Sequence, residues 1–173
     1  LIVDSRGSIA LRNNANNGPV RVAGNITLIA NSNITAATIN SFFGSTAPGD
    51  ISLTSSNGSI DTFLINANCN SVCTRAGNIT VNALGNVSIA ALSATTSTGG
   101  NGGNISVISS NGSIVVPPPL ATQPYVSGSG ASYISSYAAG ASGNGGAIAL
   151  NAAGAISVLD TIDSHAKAGL GGD

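Results

Sequence analysis

The sequence predicts an all-β fold, a right-handed parallel β-helix (β-solenoid) of about six coils, each with roughly 26 residues and three short strands. The first observation is a recurring motif, seen most completely in residues 49–62, which read GDISLTSSNGSIDT. The second is the alternation of aliphatic and small polar residues within each copy, which indicates strands because a helix needs apolar residues three and four apart. A single solenoid over residues 1–173 is therefore expected.

The copies of the motif fix the expected stacking of the coils. They start at Gly24, Gly49, Gly77, Gly103 and Gly146, which are separated by 25, 28, 26 and 43 residues. A third short strand is expected around Ile39, Ile65, Leu92, Ile134 and Ile162. In this alignment the inward residues Ile51, Leu53, Ile60 and Ile65 stack on Ile79, Val81, Val87 and Leu92. The right-handed sense follows from the handedness of crossovers between parallel strands.

Glycines precede the strands at both corners of the motif. The first set starts the copies, and the second is Gly7, Gly58, Gly85, Gly112 and Gly154. We expect both sets to supply the positive φ angles that sharp corners need.

One copy contains an insertion at about 116–132, which is rich in proline and tyrosine. Because proline cannot join a central ladder, this segment must leave the coil as a loop. It is either a tolerated insertion or a binding protrusion, in which Tyr125, Tyr133 and Tyr137 are the candidate partner contacts.

Composition narrows the class of protein. Charged residues make up 6% of the chain and the net charge is −1, so no basic patch favours nucleic acid as a partner. No apolar run is long enough to span a bilayer as a helix. The chain contains no Met, from which we expect a processed piece of a longer protein.

Cys69 and Cys73 are the only cysteines and lie in the sequence CNSVC. One interpretation is a redox or metal site, although no second thiol pair or nearby His completes a metal ligand set. The favoured interpretation is a local disulfide that pins a surface loop, which places the protein outside the cytoplasm.

The sequence offers little catalytic chemistry, and neither a metal nor a cofactor is expected. The stacked equivalents of Asp61 are Thr35 and Ser88, and Ser135 occupies the Asp163 position one coil earlier. Asp160 and Asp163 lie near His165, but they are interpreted as solvated turn residues, so an enzyme is not predicted.

Other motifs point to weaker alternatives. GGNGGNISV resembles a calcium-binding nonapeptide but is not repeated in tandem. An ice-binding face is disfavoured because the outward column from Thr27 to Ala149 is irregular. The seven Asn-x-Ser/Thr sequons are attributed to corner asparagines that bond neighbouring backbone.

The segments Gly103–Val107, Asn111–Ile114, 141–150 and 171–173 resemble the repeats of filamentous-haemagglutinin-like secreted proteins, particularly the cyanobacterial ones. The resemblance implies a right-handed β-helix, export by a two-partner system and a role as a fibrous adhesin or surface layer. The secretion domain of that family is not seen in this sequence, and its repeats carry no catalytic residue to transfer.

The expected function is that of a structural segment of an extracellular fibre or adhesin stalk. The alternative is a carbohydrate- or surface-binding adhesin module that uses the 115–140 excursion, and a polysaccharide-acting enzyme is a minor alternative. Joined head to tail, residues 171–173 and 1–9 reproduce the motif, so the ends complete a coil. We therefore expect copies to stack end to end into a filament, either as tandem repeats of one long polypeptide or as separate subunits, with an axial repeat of about 29 Å at about 4.8 Å per coil.

Overall fold

The computed structural model describes residues 1–11, 20–41, 48–117, 133–140 and 142–167. These residues form parallel strands and no helix. In chain order the strands are β1 (Ile2–Ser5), β2 (Ile9–Leu11), β3 (Val20–Arg21), β4 (Ile26–Ala30), β5 (Ile34–Asn40), β6 (Ile51–Ser55), β7 (Ile60–Asn66), β8 (Ile79–Ala83), β9 (Val87–Ser93), β10 (Ile105–Ser109), β11 (Ile114–Val116), β12 (Tyr133–Ser135), β13 (Ile148–Ala152), β14 (Ile156–Val158) and β15 (Thr161–Asp163).

Two parallel sheets run along the axis of the molecule. The first is six-stranded, in the order β1-β4-β6-β8-β10-β13, and the second contains the other nine strands. In the first sheet the register partners step along the chain by 25, 25, 28, 26 and 43 residues, through Ile2, Thr27, Ser52, Thr80, Ser106 and Ala149. Each strand therefore pairs with its counterpart one coil away, which confirms the predicted β-solenoid.

The coil count differs slightly from the prediction. The six strands of the first sheet are separated by about five turns, rather than forming about six complete coils. The predicted sixth coil depended on joining residues 171–173 to residue 1, and residues 168–173 lie outside the described part of the chain.

The predicted three separate strands per coil are wrong for the middle coils. There the second and third strands run on as single seven-residue strands, β5, β7 and β9. The register breaks only at Ala37, Phe63 and Ala90, where the strands bend. These segments contain neither glycine nor proline, and one residue in each strand lacks a register partner before the ladder resumes beyond it. A third line of pairing consists of isolated bridges through Cys69, Thr96, Ala138 and Ala166.

The core consists of aliphatic columns between the sheets. The predicted stacks are confirmed, because Ile51 and Leu53 pair with Ile79 and Val81, and Ile60 and Ile65 pair with Val87 and Leu92. All of these side chains are at most 1% exposed. Fully burying an aliphatic side chain contributes about 1.5–3 kcal/mol, so each coil is stabilised mainly by the neighbours that cover it.

The predicted role of the corner glycines is wrong at most positions. Of the ten that were predicted, only Gly24 has a positive φ, at 119°. The others are required by close stacking: a Cβ on Gly77 would lie 2.2 Å from the Gly49 carbonyl oxygen, and one on Gly103 would lie 2.0 Å from that of Gly77. Gly7 is the exception, because a Cβ there would meet nothing closer than 3.9 Å.

The corner asparagines bond to the adjacent coil, as predicted. The Oδ1 of Asn25 accepts a hydrogen bond from the backbone N–H of Asp50, and that of Asn78 accepts one from Asn104, each at 2.9 Å. Asp50 continues this polar ladder by accepting from the N–H of Asn78 at 2.8 Å. A second polar ladder links Asn33, Ser59, Asn86, Ser113 and Ala155 in the same way.

Candidate functional site

A groove follows the line where the long strands of the second sheet bend, and we call it the bend groove. It encloses about 470 Å³ and is lined by Leu11, Thr35, Ala36, Ala37, Asp61, Thr62, Phe63, Ser88, Ala90 and Pro117. These residues come from five successive coils, so the groove runs parallel to the axis for about 19 Å at about 4.8 Å per coil.

One wall of the bend groove is a polar column. Thr35, Asp61 and Ser88 are register partners in β5, β7 and β9. In the described part of the chain none of these three side chains has a hydrogen-bond or ion-pair partner. This distinguishes them from the corner asparagines, whose side-chain oxygens are held by the backbone of the next coil.

The aromatic side chain of the groove is Phe63, which is half-buried. It occupies the bend of β7, and its counterparts in the coils on either side are Ala37 and Ala90. Among the described residues, the neighbours of Phe63 along the axis are therefore small. Beside it, Thr62 is 4% exposed, and its hydroxyl is buried without a partner among the described residues.

The structure joins Cys69 and Cys73 by a disulfide, with Cα atoms 6.5 Å apart. Cys69 is buried and forms an isolated parallel β-bridge with Thr96 of the next coil. Val72, which lies between the two cysteines, is 83% exposed. The hydroxyl of Thr98 donates to the Ser71 carbonyl oxygen at 2.7 Å, which ties the loop to its neighbour. The disulfide therefore fixes a protruding loop to the body of the solenoid.

An ion pair lies at the corner next to this loop. Arg75 Nη1 donates to Asp50 Oδ1 at 2.9 Å, and both side chains are about half exposed. Partial burial raises the pKa of the Asp50 carboxyl, but hydrogen bonds from Arg75 and the Asn78 backbone, with the guanidinium charge, hold that pKa below its ordinary value of 3.8.

The three candidate tyrosines have different positions. Tyr125 lies outside the described residues. Tyr133 begins β12, and burial raises the pKa of its phenol, a rise that a hydrogen bond with Ser93 opposes and Tyr137 increases. Tyr137 stacks on His165 with ring centroids 5.1 Å apart. Both described rings therefore pack against the coils.

The acidic residues are not brought together into pairs. Asp61 has Thr35 and Ser88 as register partners, and Asp163 has Ser135, as the sequence predicted. Asp163 instead pairs with the imidazole of His165, two residues along the chain. Within the described ranges, no three His, Cys, Asp or Glu side chains form a cluster that could hold a metal ion.

Among the described residues, the core columns are exposed at the last coil and only partly at the first coil, where Ile9 is 5% exposed. Ile114 is 2% exposed, but its register partner in the last coil, Ile156, is 47% exposed. Ile134 is 0% exposed, whereas its partner Ile162 is 51% exposed. At the other end Leu1 is 48% exposed. We call these two surfaces the end faces.

These features define the class: the described residues form a parallel β-solenoid with exposed core residues at the end faces and a lateral groove. Comparison with known protein families, curated proteins and solved structures found no match to this chain. Among the described residues, no helix has the length and apolar character needed to cross a membrane.

Proposed function

We propose that this protein is a structural segment of an extracellular fibre or adhesin stalk, in which coils continue end to end along the axis. The observation that supports this proposal most directly is the exposure of core columns at the end faces. Ile156 and Ile162 continue columns that are at most 2% exposed one coil earlier. A further coil, from the same polypeptide or from another copy, would bury them.

The unpaired edges of the terminal strands also favour continuation of the solenoid by another coil. Within the described strands, β1 and β2 pair on one side only, as do β13, β14 and β15. Strands at the edge of a sheet are usually blunted by charge, proline or a covering segment. β13 and β14 carry no charged residue, and β15 carries only Asp163. These edges suit the addition of another parallel strand.

The extracellular location is supported by the disulfide between Cys69 and Cys73, since disulfides persist in oxidising compartments. The proposed partner at each end face is a further coil, either from another copy of this chain or from the same polypeptide. The alternative adhesin module, which would bind cell-surface glycans through the 115–140 excursion, is less favoured because Tyr133 and Tyr137 are committed to packing against neighbouring coils. The absence of a paired carboxylate beside Asp61 gives no support for an enzyme.

The test is the assembly state of the purified chain. We expect concentration-dependent filaments, with fibre diffraction at about 4.8 Å and an axial repeat of about 29 Å, because each copy adds six strands to the first sheet. Ile156→Asp should abolish the filaments by placing a charge in the stacking surface. Val72→Asp is the control, because Val72 is 83% exposed in the loop on the side of the solenoid and the change should leave assembly unchanged.

Two results would contradict the proposal. One is a monodisperse monomer with ordered caps over both end faces, and the other is a filament that Ile156→Asp does not weaken. Circular dichroism of each variant establishes that the solenoid is still folded, so loss of assembly is separated from loss of structure.

A further inference from the structure

We propose that the bend groove binds a linear, neutral oligosaccharide that lies along the solenoid axis. The groove runs along the side of the molecule and its polar and aromatic residues lie in the middle coils, so this inference does not depend on end-to-end stacking.

The first step is that the side chains of the polar wall are free to bind a ligand. Thr35, Asp61 and Ser88 repeat at the spacing of the coils, and in the described part of the chain their side chains have no partner. Hydroxyl and carboxylate oxygens in such a row can each accept a hydrogen bond, and the hydroxyls can also donate. A ligand with hydroxyl groups along its length meets this wall at every coil.

The second step concerns Phe63, the aromatic side chain of the groove, whose neighbours along the axis are small. Phe63 is flanked along the axis by Ala37 and Ala90, so a flat ligand has access to it. Ligand sites generally combine apolar and aromatic lining with a few convergent polar groups. A sugar ring has an apolar C–H face and a hydroxylated edge, which match Phe63 and the polar wall.

The third step decides whether a glycan or a peptide is the better candidate ligand. Extended peptides commonly bind by adding a strand to a free sheet edge. Among the described strands that line the bend groove, β5, β7 and β9 are each paired on both sides, and only β2, at the Leu11 end, has an unpaired edge. Along β5, β7 and β9 recognition must therefore come from side chains, which favours the oligosaccharide.

The charge of the lining determines the class of glycan. Among the described residues that line the groove, Asp61 is the only ionisable one. Its negative charge disfavours acidic polysaccharides, because a desolvated like charge is costly. A neutral chain is therefore the expected ligand.

The test uses cellohexaose, mannohexaose and maltohexaose as neutral probes, with oligogalacturonate and an extended alanine-rich peptide as competitors. Isothermal titration of the intact chain should detect binding of at least one neutral hexasaccharide and of neither competitor. Phe63→Ala should weaken that binding at least tenfold, and Asp61→Asn should weaken it less. Phe63→Tyr should retain it, because the ring is preserved.

The matched control is Thr54→Ala, which changes a part-exposed residue on the first sheet and should leave affinity unchanged. Thermal melts of all variants establish that they are folded. Absence of binding to all three neutral probes at millimolar concentration overturns the inference. Equal affinity of Phe63→Ala and the parent chain, or preference for oligogalacturonate or the peptide, overturns it as well.

Discussion

At the scale of single residues, two buried threonines differ in whether the hydroxyl has a partner. Thr62 is 4% exposed and its Oγ1 has none among the described residues. Thr96 is 0% exposed and its Oγ1 donates to the Gly100 carbonyl oxygen at 3.0 Å. An unpaired buried hydroxyl costs free energy that an apolar group of the same shape does not.

We expect Thr62→Val to raise the free energy of unfolding by about 1 kcal/mol, since it removes this cost without changing the shape of the side chain. Thr96→Val should lower it by about 1 kcal/mol, because it breaks a hydrogen bond and leaves a carbonyl oxygen unpaired. Urea denaturation of both variants measures the difference. Changes of the same sign in the two variants would show that the hydroxyl partners do not decide the outcome.

The corner glycines are required by space rather than by backbone angle, and this leads to a second residue-scale prediction. Gly77→Ala should destabilise the fold by about 3 kcal/mol or more, because its Cβ would lie 2.2 Å from the Gly49 carbonyl oxygen. Gly7→Ala is the control and should be nearly neutral, since its Cβ meets only Ser5 Oγ at 3.9 Å. If the two variants have the same melting temperature, close stacking is not the reason that these corners require glycine.

At the scale of structural elements, the polar ladders tie each coil to the next. Asn78→Ala removes the acceptor for the Asn104 N–H and should cost about 1 kcal/mol. Asn82→Ala is the control in β8, because Asn82 is exposed on the outer face of the sheet. Equal stability of the two variants would contradict a stabilising role for the ladder.

The Asp50–Arg75 pair gives the same corner a dependence on pH. The folded-state pKa of Asp50 is lowered, so ionised Asp50 contributes to the free energy of unfolding. This contribution is complete when the pH is above the ordinary pKa of 3.8, and it is lost as the pH falls through the folded-state pKa. Asp50→Asn keeps an acceptor for the Asn78 N–H but cannot titrate. We expect the melting temperature of the parent to fall more steeply below about pH 4 than that of the variant, as measured by calorimetry. Parallel curves would contradict this.

At the scale of the whole molecule, stability should vary along the axis. Coils in the middle are covered on both sides, whereas β1, β2 and β13 to β15 are covered on one side only. Amide hydrogen exchange should therefore be slowest in β6 to β9 and fastest in the terminal strands. In assembled filaments the terminal strands should gain protection. If the terminal strands of filaments exchange as fast as those of the monomer, the end faces are not the stacking surface.

Much of this fold was predictable because its determinants are local. The spacing of the motif copies and the alternation around Ile51 and Ile79 predicted the register and the inward columns, since a parallel ladder repeats the same residues one coil later. The candidate groove was not predicted. In the sequence the stacking of Thr35, Asp61 and Ser88 argues only against a pair of catalytic carboxylates, and no glycine or proline marks the bend beside Phe63.

The sequence by itself determined the coil period, the sheet register, the composition of the core and the cross-coil bonding of the corner asparagines. Only the tertiary structure decided which strands merge, why the corner glycines cannot carry a Cβ and where polar side chains remain without partners. The physical reason is that these properties depend on distances between coils. Gly77 and the Gly49 carbonyl oxygen are 28 residues apart along the chain, yet a Cβ on the first would overlap the second.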